Sequence, residues 1–525
     1  MTPIQATKTK PSDTSSEGEH NYDSPQTILK GAETKLATLL AETQRLAKEV
    51  AYIIEPQRER RDIAKDVRWF MVTDAIAFFC AFIGSWMLAR MVNIIILHRS
   101  FVDMWAGGDS GHLGQFIAIA LGAMLWFEHT EHYRTRMPFW LELKKIIGTL
   151  SFAMMIDGFL LFAAKQDFSR LWLMFGWIIA GIGIVTFRSV YRSLRYKQGT
   201  WHIPSLLIGG GSTAEDARMA LQSEPSLGYE IRAQIKDLPQ AFAQAGESWE
   251  ALCARHKADY IVVAMDGPEM TRAELPIAQL MRESVPFSVC PPMRHVPVLG
   301  MVPHYFFNHD VMLMTRSSDL EQPLPRLIKR SFDVFVSGLA LLVTSPLILF
   351  LATMVKLDGG PALFGQARIG MNGKLFKCLK FRSMVMGADE ALERYLAQNP
   401  EALAEYNKFH KLKRDPRVTR FGEWMRKTSL DELPQLINVL KGDMSLVGPR
   451  PILTTEAGHY SQDIAHYYRV RPGITGLWQV SGRNKITFSK RVQMESWYVR
   501  NWTLWHDIAI LCKTVPVIFK RHGAY

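Results

Sequence analysis

At 525 residues the chain is too long for a single hydrophobic core and implies about three structural units. Its hydrophobic fraction of 48% is ordinary, but the apolar residues gather in long runs in the first two hundred positions and again near 340, which excludes a wholly water-soluble protein. The net charge of +12 comes largely from basic residues flanking those runs, with no aromatic-interleaved stripe, so a membrane surface and phosphate-bearing substrates are expected and nucleic acid is not.

Residues 1–66 open with Ser/Thr/Pro/Glu-rich sequence and turn helical over 27–51, which predicts a disordered tail and a cytoplasmic helix with no cleavable signal peptide. Residues 67–198 hold four apolar segments, near 69–89, 113–131, 146–164 and 171–190. Each approaches the roughly 20 residues that a hydrocarbon layer of about 30 Å demands, so a four-helix transmembrane bundle is predicted. The second segment is the weakest, because Glu128, His129 and Glu131 crowd its end. Arginines and lysines concentrate before the first segment, between the second and third, and after the fourth. That bias puts both ends of the bundle in the cytoplasm. The five cysteines (Cys80, Cys253, Cys290, Cys378 and Cys512) have no metal-ligand spacing, and neither a zinc site nor a disulfide framework is expected.

From Ile203 the texture becomes that of a soluble α/β unit, and a Rossmann-like domain is predicted over 199–310. Its strand, glycine turn and helix start at Gly209, Gly210 and Gly211 leave two readings open, a nucleotide site or a structural or oligomerising domain. The final block runs over 325–525. It begins with an apolar segment, 330–357, preceded by Lys329 and Arg330 and followed by Lys356 and Asp358, with Ser345-Pro346 near its middle. Pro346 removes a backbone hydrogen bond, so the helix must bend there, and Ser345 can partly satisfy the freed carbonyl. A crossing helix would carry everything beyond it out of the cytoplasm, so a re-entrant hairpin is predicted, against a simple kinked span.

Downstream, Asp431 and Glu432 lie side by side at a helix start. Acidic residues gather at such positions merely to complement the dipole, but a carboxylate can also attack a phosphoryl group while its neighbour holds a metal. Ser429 and Glu432 have capping-box spacing, and a helix starting at Leu433 with Pro434 in its first turn is the competing register. Arg450, held between Pro449 and Pro451, suits a bidentate phosphate clamp. Lys380, Arg382 and Arg426 are candidate phosphate contacts or solvated surface cations. Asp443 is either a second metal ligand or a turn residue. Arg483, Trp478, Trp497, Trp502 and Trp505 suit interfacial anchoring or packing equally well.

Residues 325–525 resemble the bacterial sugar transferases, the monotopic phosphoglycosyl transferases. The resemblance rests on the Ser-Pro hairpin, Lys380-Phe-Arg-Ser-Met384, Asp415-Pro-Arg-Val-Thr419, Arg426 through Gln435, Gly442 through Pro451, Arg471 through Gln479, and Trp497 through Trp502. The preceding helices, the α/β unit and the closing Gly523-Ala-Tyr525 resemble the long, galactose-transferring subclass. The resemblance implies a transfer of hexose-1-phosphate, galactose-1-phosphate first and glucose-1-phosphate second, from a UDP-sugar to undecaprenyl phosphate with release of UMP. It implies Asp431 as the nucleophile of a phosphosugar-aspartate intermediate, Glu432 as ligand of Mg²⁺, a homodimer, and a catalytic domain at the cytoplasmic face of a bacterial inner membrane. Such an enzyme begins an O-antigen, capsule or exopolysaccharide repeat. A non-catalytic scaffold of polysaccharide assembly is the competing class, and a nicotinamide-dependent enzyme acting through the glycine turn is a third.

Overall fold

The computed structural model describes residues 66–519 apart from 99–109, 166–168, 281, 284, 294–295, 297–300, 306–311, 317–321, 358, 410–411, 413–414 and 483–485. The expectations for the N-terminal tail and helix, Arg483 and the closing tripeptide lie outside the described residues. The chain divides into two compact units, one drawn from 1–202 with 224–228 and the other from 203–223 with 229–525.

The first unit holds α1 (Asp66–Ile96), whose last turn Val92–Ile96 is a π-helix, α2 (Ser110–His129), α3 (Phe139–Ala163) and α4 (Arg170–Lys197). Helices α1, α3 and α4 are long and apolar enough to cross a membrane. Helix α2, whose end is crowded by Glu128 and His129, forms over 20 residues and is not among the helices that meet that criterion within the described residues. Phe78, Phe82, Phe116, Trp172 and Trp177 interlock at the bundle centre, with ring centroids 5.1–6.3 Å apart. Large residues such as Phe79, Leu125, Phe159 and Phe162 face outward. An apolar exterior around an apolar core is the pattern of a lipid-embedded bundle.

The second unit begins with a parallel sheet, β1 (Ile203–Ile208), β2 (Tyr229–Ile235), β3 (Tyr260–Val263) and β4 (Phe287–Val289), in the order β2-β1-β3-β4. Helices α5 (Ser212–Ser223), α6 (Leu238–Gln244), α7 (Trp249–His256), α8 (Gly267–Arg272) and α9 (Glu274–Leu280) connect and follow these strands. The central strands β1 and β3 are mostly buried apolar runs because a parallel sheet is covered on both faces, whereas the edge strand β2 carries Glu230, Arg232 and Gln234. An antiparallel hairpin, β5 (Met301–Tyr305) and β6 (Met312–Arg316), follows.

The glycine turn is packed tightly. A Cβ on Gly209 would stand 2.2 Å from the Ala264 carbonyl oxygen, and one on Gly211 2.1 Å from Asp266 Oδ2. Asp266 accepts the backbone N–H groups of Ser212 at 2.9 Å and Thr213 at 3.2 Å, while Glu269 accepts that of Gly210 at 3.0 Å. The amides that a dinucleotide would use already hold two carboxylates of the chain itself. The geometry therefore favours the structural reading of this turn.

The C-terminal block opens with α10 (Pro323–Lys356), a continuous helix of 34 residues with Pro346 inside it. A hairpin of β7 (Leu363–Ile369) and β8 (Leu375–Phe381) follows, then α11 (Ala388–Gln398), α12 (Pro400–Phe409), α13 (Arg420–Thr428) and α14 (Gln435–Lys441). Strand β9 (Ser445–Val447) pairs in parallel with β10 (Gly473–Thr475), and α15 (Ile464–Tyr468), α16 (Leu477–Val480), α17 (Phe488–Arg500) and α18 (Leu504–Phe519) complete the domain. The fold combines apolar helices with two α/β regions, as predicted. The basic pair in the first turns of α10 does structural work: Lys329 Nζ lies 2.7 Å from Asp507 and donates to the Val447 carbonyl, and Arg330 donates to the carbonyls of Val439 and Leu440 at the C terminus of α14. Cations there complement the negative end of the helix.

Candidate active site

Three elements converge on Asp431 and Glu432. Helix α13 is capped by Thr419, whose hydroxyl accepts the Gly422 N–H at 2.9 Å, and its first turn presses onto Ser383 in the segment that follows β8. Only glycine fits at 422, since a Cβ would stand 2.1 Å from the Ser383 carbonyl oxygen. The close approach lets Arg426 Nε donate to Ser383 Oγ at 2.8 Å. Ser429 then ends α13 in a left-handed conformation (φ 55°) and a 3₁₀ turn, Leu430–Glu432, carries both carboxylates. Helix α14 follows with Pro434 at its N-cap. Neither predicted register forms: Ser429 makes no capping hydrogen bond, because it serves as the left-handed C-cap of the preceding helix.

Helix α14 is fixed to β8 by one buried amide. Asn438, 2% exposed, accepts the Leu379 N–H at 2.9 Å and donates to the Lys377 carbonyl at 2.9 Å. A side-chain amide has the donor and acceptor to replace a missing strand neighbour. This clamp aligns the 3₁₀ turn with Lys380, whose Nζ lies 2.7 Å from Glu432 Oε1 and 3.9 Å from Asp431 Oδ2. Asp431 is 7% exposed. Burial pushes its carboxyl above the ordinary value of 3.8, Glu432 adds to the rise, and Lys380 and Arg426 oppose it.

Arg450 approaches from the opposite strand pair. Its backbone N–H donates to Glu495 Oε1 at 3.1 Å, and its exposed guanidinium lies 5.8 Å from the centre of the Trp478 ring. Glu495 is held by the Tyr460 hydroxyl at 2.6 Å and by Arg491 Nε at 3.2 Å. Burial raises the Cys378 thiol, and Lys380, Glu432, Arg368 and Arg450 all act on it, so these charges surround one position of β8. Asn438, Arg491, Glu495 and Arg368 escaped the sequence reading. The only signal for Asn438 was a polar residue on an otherwise apolar helix face.

The remaining candidates are placed differently. Arg382 Nη2 donates to the Val355 carbonyl at 2.8 Å, and its guanidinium rests against Gly360, so it latches the C terminus of α10. Asp443 lies beyond the other end of α14 and accepts from Asn438 at 3.2 Å, which supports its turn reading. Among the described residues no three acidic, histidine or cysteine side chains gather as a metal cluster. The donor set still suits a hard cation, because two carboxylates already share one positive group and a substrate diphosphate would supply further oxygens. Trp478 and Trp502 are 7% and 8% exposed, and Trp502 Nε1 donates to Asp507 at 3.0 Å, so packing describes both.

The sequence matches a family model described as bacterial sugar transferase over residues 324–521 and one described as CoA-binding domain over 128–264. It is 42% identical over 411 residues to the undecaprenyl-phosphate galactose phosphotransferase of Salmonella typhimurium, covering 76% of this chain and 86% of that protein. It is 38% identical over 414 residues to the UDP-galactose-lipid carrier transferase of Erwinia amylovora, again covering 76% and 86%. The UDP-glucose:undecaprenyl-phosphate glucose-1-phosphate transferase of Escherichia coli is 41% identical over 209 residues, covering 38% of this chain and 42% of that protein.

Proposed function

Since the chain belongs to the bacterial sugar transferase family in its long form, and is thus a phosphoglycosyl transferase, we propose that it moves galactose-1-phosphate from UDP-galactose to undecaprenyl phosphate. Two relatives aligned over 76% of the chain carry galactose in their names, whereas the glucose-named relative aligns over 38%, which makes UDP-glucose the second reading. The observation that carries the mechanism is the arrangement of Lys380 with Glu432 and Asp431 at 2.7 and 3.9 Å.

In the first step an oxygen of ionised Asp431 attacks the β-phosphorus of the UDP-sugar. The bond from that phosphorus to the bridging oxygen breaks, and UMP leaves with the electron pair. A phosphate oxygen of undecaprenyl phosphate then attacks the same phosphorus, and the Asp431 carboxylate departs. Dividing the transfer lets one nucleophile serve a soluble and a membrane-borne substrate in turn. Lys380 and Arg426 keep Asp431 ionised against its burial and face the diphosphate, and Arg450 adds a planar donor set for phosphate. Magnesium held by Glu432 would offset the charge on the diphosphate.

The way α10 is held supports a reading of its membrane topology. Near its start Lys329 pairs with Asp507, and near its end the Val355 carbonyl accepts from Arg382. Leu433 packs in the clusters that receive both halves of the helix. A helix crossing the hydrocarbon layer would place these partners of one domain on opposite faces. Between the anchors, Phe335, Leu342, Val343 and Leu349 are 70–72% exposed, which suits immersion in lipid. These contacts support a bent α10 that enters and leaves by the cytoplasmic face of the inner membrane. A homodimer is proposed with it, and a monomeric mass in nanodiscs would refute that part. UMP release and lipid-linked product measured across a panel of UDP-sugars with undecaprenyl phosphate test the reaction. Equal turnover of all sugars, or no UMP, would sink it.

A further inference from the structure

A second polar site lies in the helical unit, built from residues that the proposed reaction does not use. The beginnings of α1 and α3 and the ends of α2 and α4 frame a solvent-open cleft, lined among others by Phe70, Trp201, His132, Arg134, Arg136 and Arg192. Its four arginines, Arg188 included, face two lining carboxylates, Asp66 and Glu142. Both carboxylates are engaged. Glu142 pairs with Arg192 and, at 3.0 Å, with Arg188, while Asp66 accepts the Tyr191 hydroxyl at 2.7 Å and pairs with Arg195 at 3.2 Å. The arginines are engaged as well, Arg188 also with Asp74 at 2.9 Å and Arg134 with Glu128. Five arginines, these four and Arg195, thus stand against four carboxylates, Asp66, Asp74, Glu128 and Glu142, and leave an entering anion one net positive charge.

His132 supplies the independent observation. The residue is 4% exposed, and its Nδ1 lies 2.8 Å from Arg188 Nη1. A guanidinium only donates, so Nδ1 accepts and the single proton of the neutral ring sits on Nε2. Burial, with Arg188 beside it, lowers the imidazole to about 4, so the ring is neutral at neutral pH. Nε2 is buried and makes no hydrogen bond of ordinary geometry, although the Glu142 backbone acts on the ring as an acceptor. A buried donor without a well-formed bond is costly and calls for an acceptor.

We propose that this cleft binds a phosphate group, monoester or diester, with His132 Nε2 and the guanidinium of Arg192 as donors. Phosphate supplies several acceptor oxygens, and arginine matches their geometry. The site sits at the ends of the apolar helices, where either a lipid headgroup or a soluble phosphate can reach it. Binding there does not depend on the transferase reading.

The test uses the full-length protein in a phosphate-free maltoside detergent, followed by thermal unfolding and by hydrogen exchange over residues 130–137 and 186–192. One arm adds phosphatidylglycerol and the other adds inorganic phosphate. Protection of both segments with a raised melting temperature is expected in at least one arm. A response to lipid alone assigns a headgroup, and a response to inorganic phosphate assigns a free phosphate. His132→Phe and Arg192→Gln should each weaken the half-saturating concentration by about tenfold, the loss of one charge-assisted hydrogen bond. His132→Gln keeps an acceptor and a donor, so it should fold and bind within a few-fold of the parent even if His132→Phe does not fold. No response in either arm, or undiminished binding by a folded His132→Phe or Arg192→Gln protein, would overturn the proposal.

Discussion

The Ser345 hydroxyl donates to the Leu342 carbonyl at 2.8 Å, the acceptor that Pro346 leaves without its helical partner. A bend at this point costs less because the freed carbonyl is satisfied within the helix. Single cysteines at Gln322 and Pro361 in an otherwise cysteine-free background should both react with a membrane-impermeant maleimide from the cytoplasmic side only. Labelling of the two positions from opposite sides would rule out the re-entrant arrangement.

Asp431→Asn should abolish the radiolabelled phosphosugar adduct and lower transfer by more than about a thousandfold, the scale on which removal of a nucleophile is felt. The same variant should melt higher at neutral pH. The folded carboxyl titrates above its ordinary 3.8 because it is buried. The folded state then binds more protons than the unfolded chain, and stability falls as pH rises through that window. Asparagine escapes the loss, so its advantage should appear above the window and vanish at lower pH. A variant no more stable than the parent at pH 7 would contradict this account of the site.

Lys380→Met removes the largest influence that lowers the Asp431 pKa. The acid limb of the pH–rate profile should move upward, because the lost opposite charge no longer opposes burial. An unmoved limb would mean that Lys380 does not control the ionisation of Asp431.

Asn438→Ala leaves the Leu379 N–H unpaired beneath the active-site turn. A loss of about 1–3 kcal/mol in chemical unfolding is expected, the cost of an orphaned buried group. Slower transfer from a protein that still binds UDP-sugar would identify the clamp as a positioning residue. Unchanged stability and rate would remove it from the site.

Arg450→Lys keeps the charge but loses the planar fork. The half-saturating UDP-sugar concentration should rise roughly tenfold or more, from one charge-assisted hydrogen bond lost, while the melting temperature stays close to the parent's because the side chain is exposed. A fall in melting temperature with unchanged substrate dependence would assign Arg450 to the fold instead.

The apolar helices, the parallel sheet and the Asp431-Glu432 pair were legible from local pattern, because hydrophobic runs, strand texture and motif spacing are properties of neighbouring residues. The partners of the pair were only partly so. Lys380 and Arg426 stood out as cations, yet Arg382 drew the same expectation and latches α10 instead. Nothing local separates the three, since each is a basic residue near a strand or helix end.

By itself the sequence determined a membrane-embedded chain, two α/β regions and two adjacent carboxylates in a motif rich in cations. Tertiary structure decided which cation meets them, that Ser429 closes one helix instead of capping the next, and that Asp266 and Glu269 fill the glycine turn. Those outcomes depend on Asn438 joining α14 to β8 and on Gly422 admitting Ser383, contacts between residues dozens of positions apart. Charge and hydropathy are carried by single residues. A pKa, a clamp or a poorly bonded nitrogen such as His132 Nε2 exists only once distant side chains have excluded water around it.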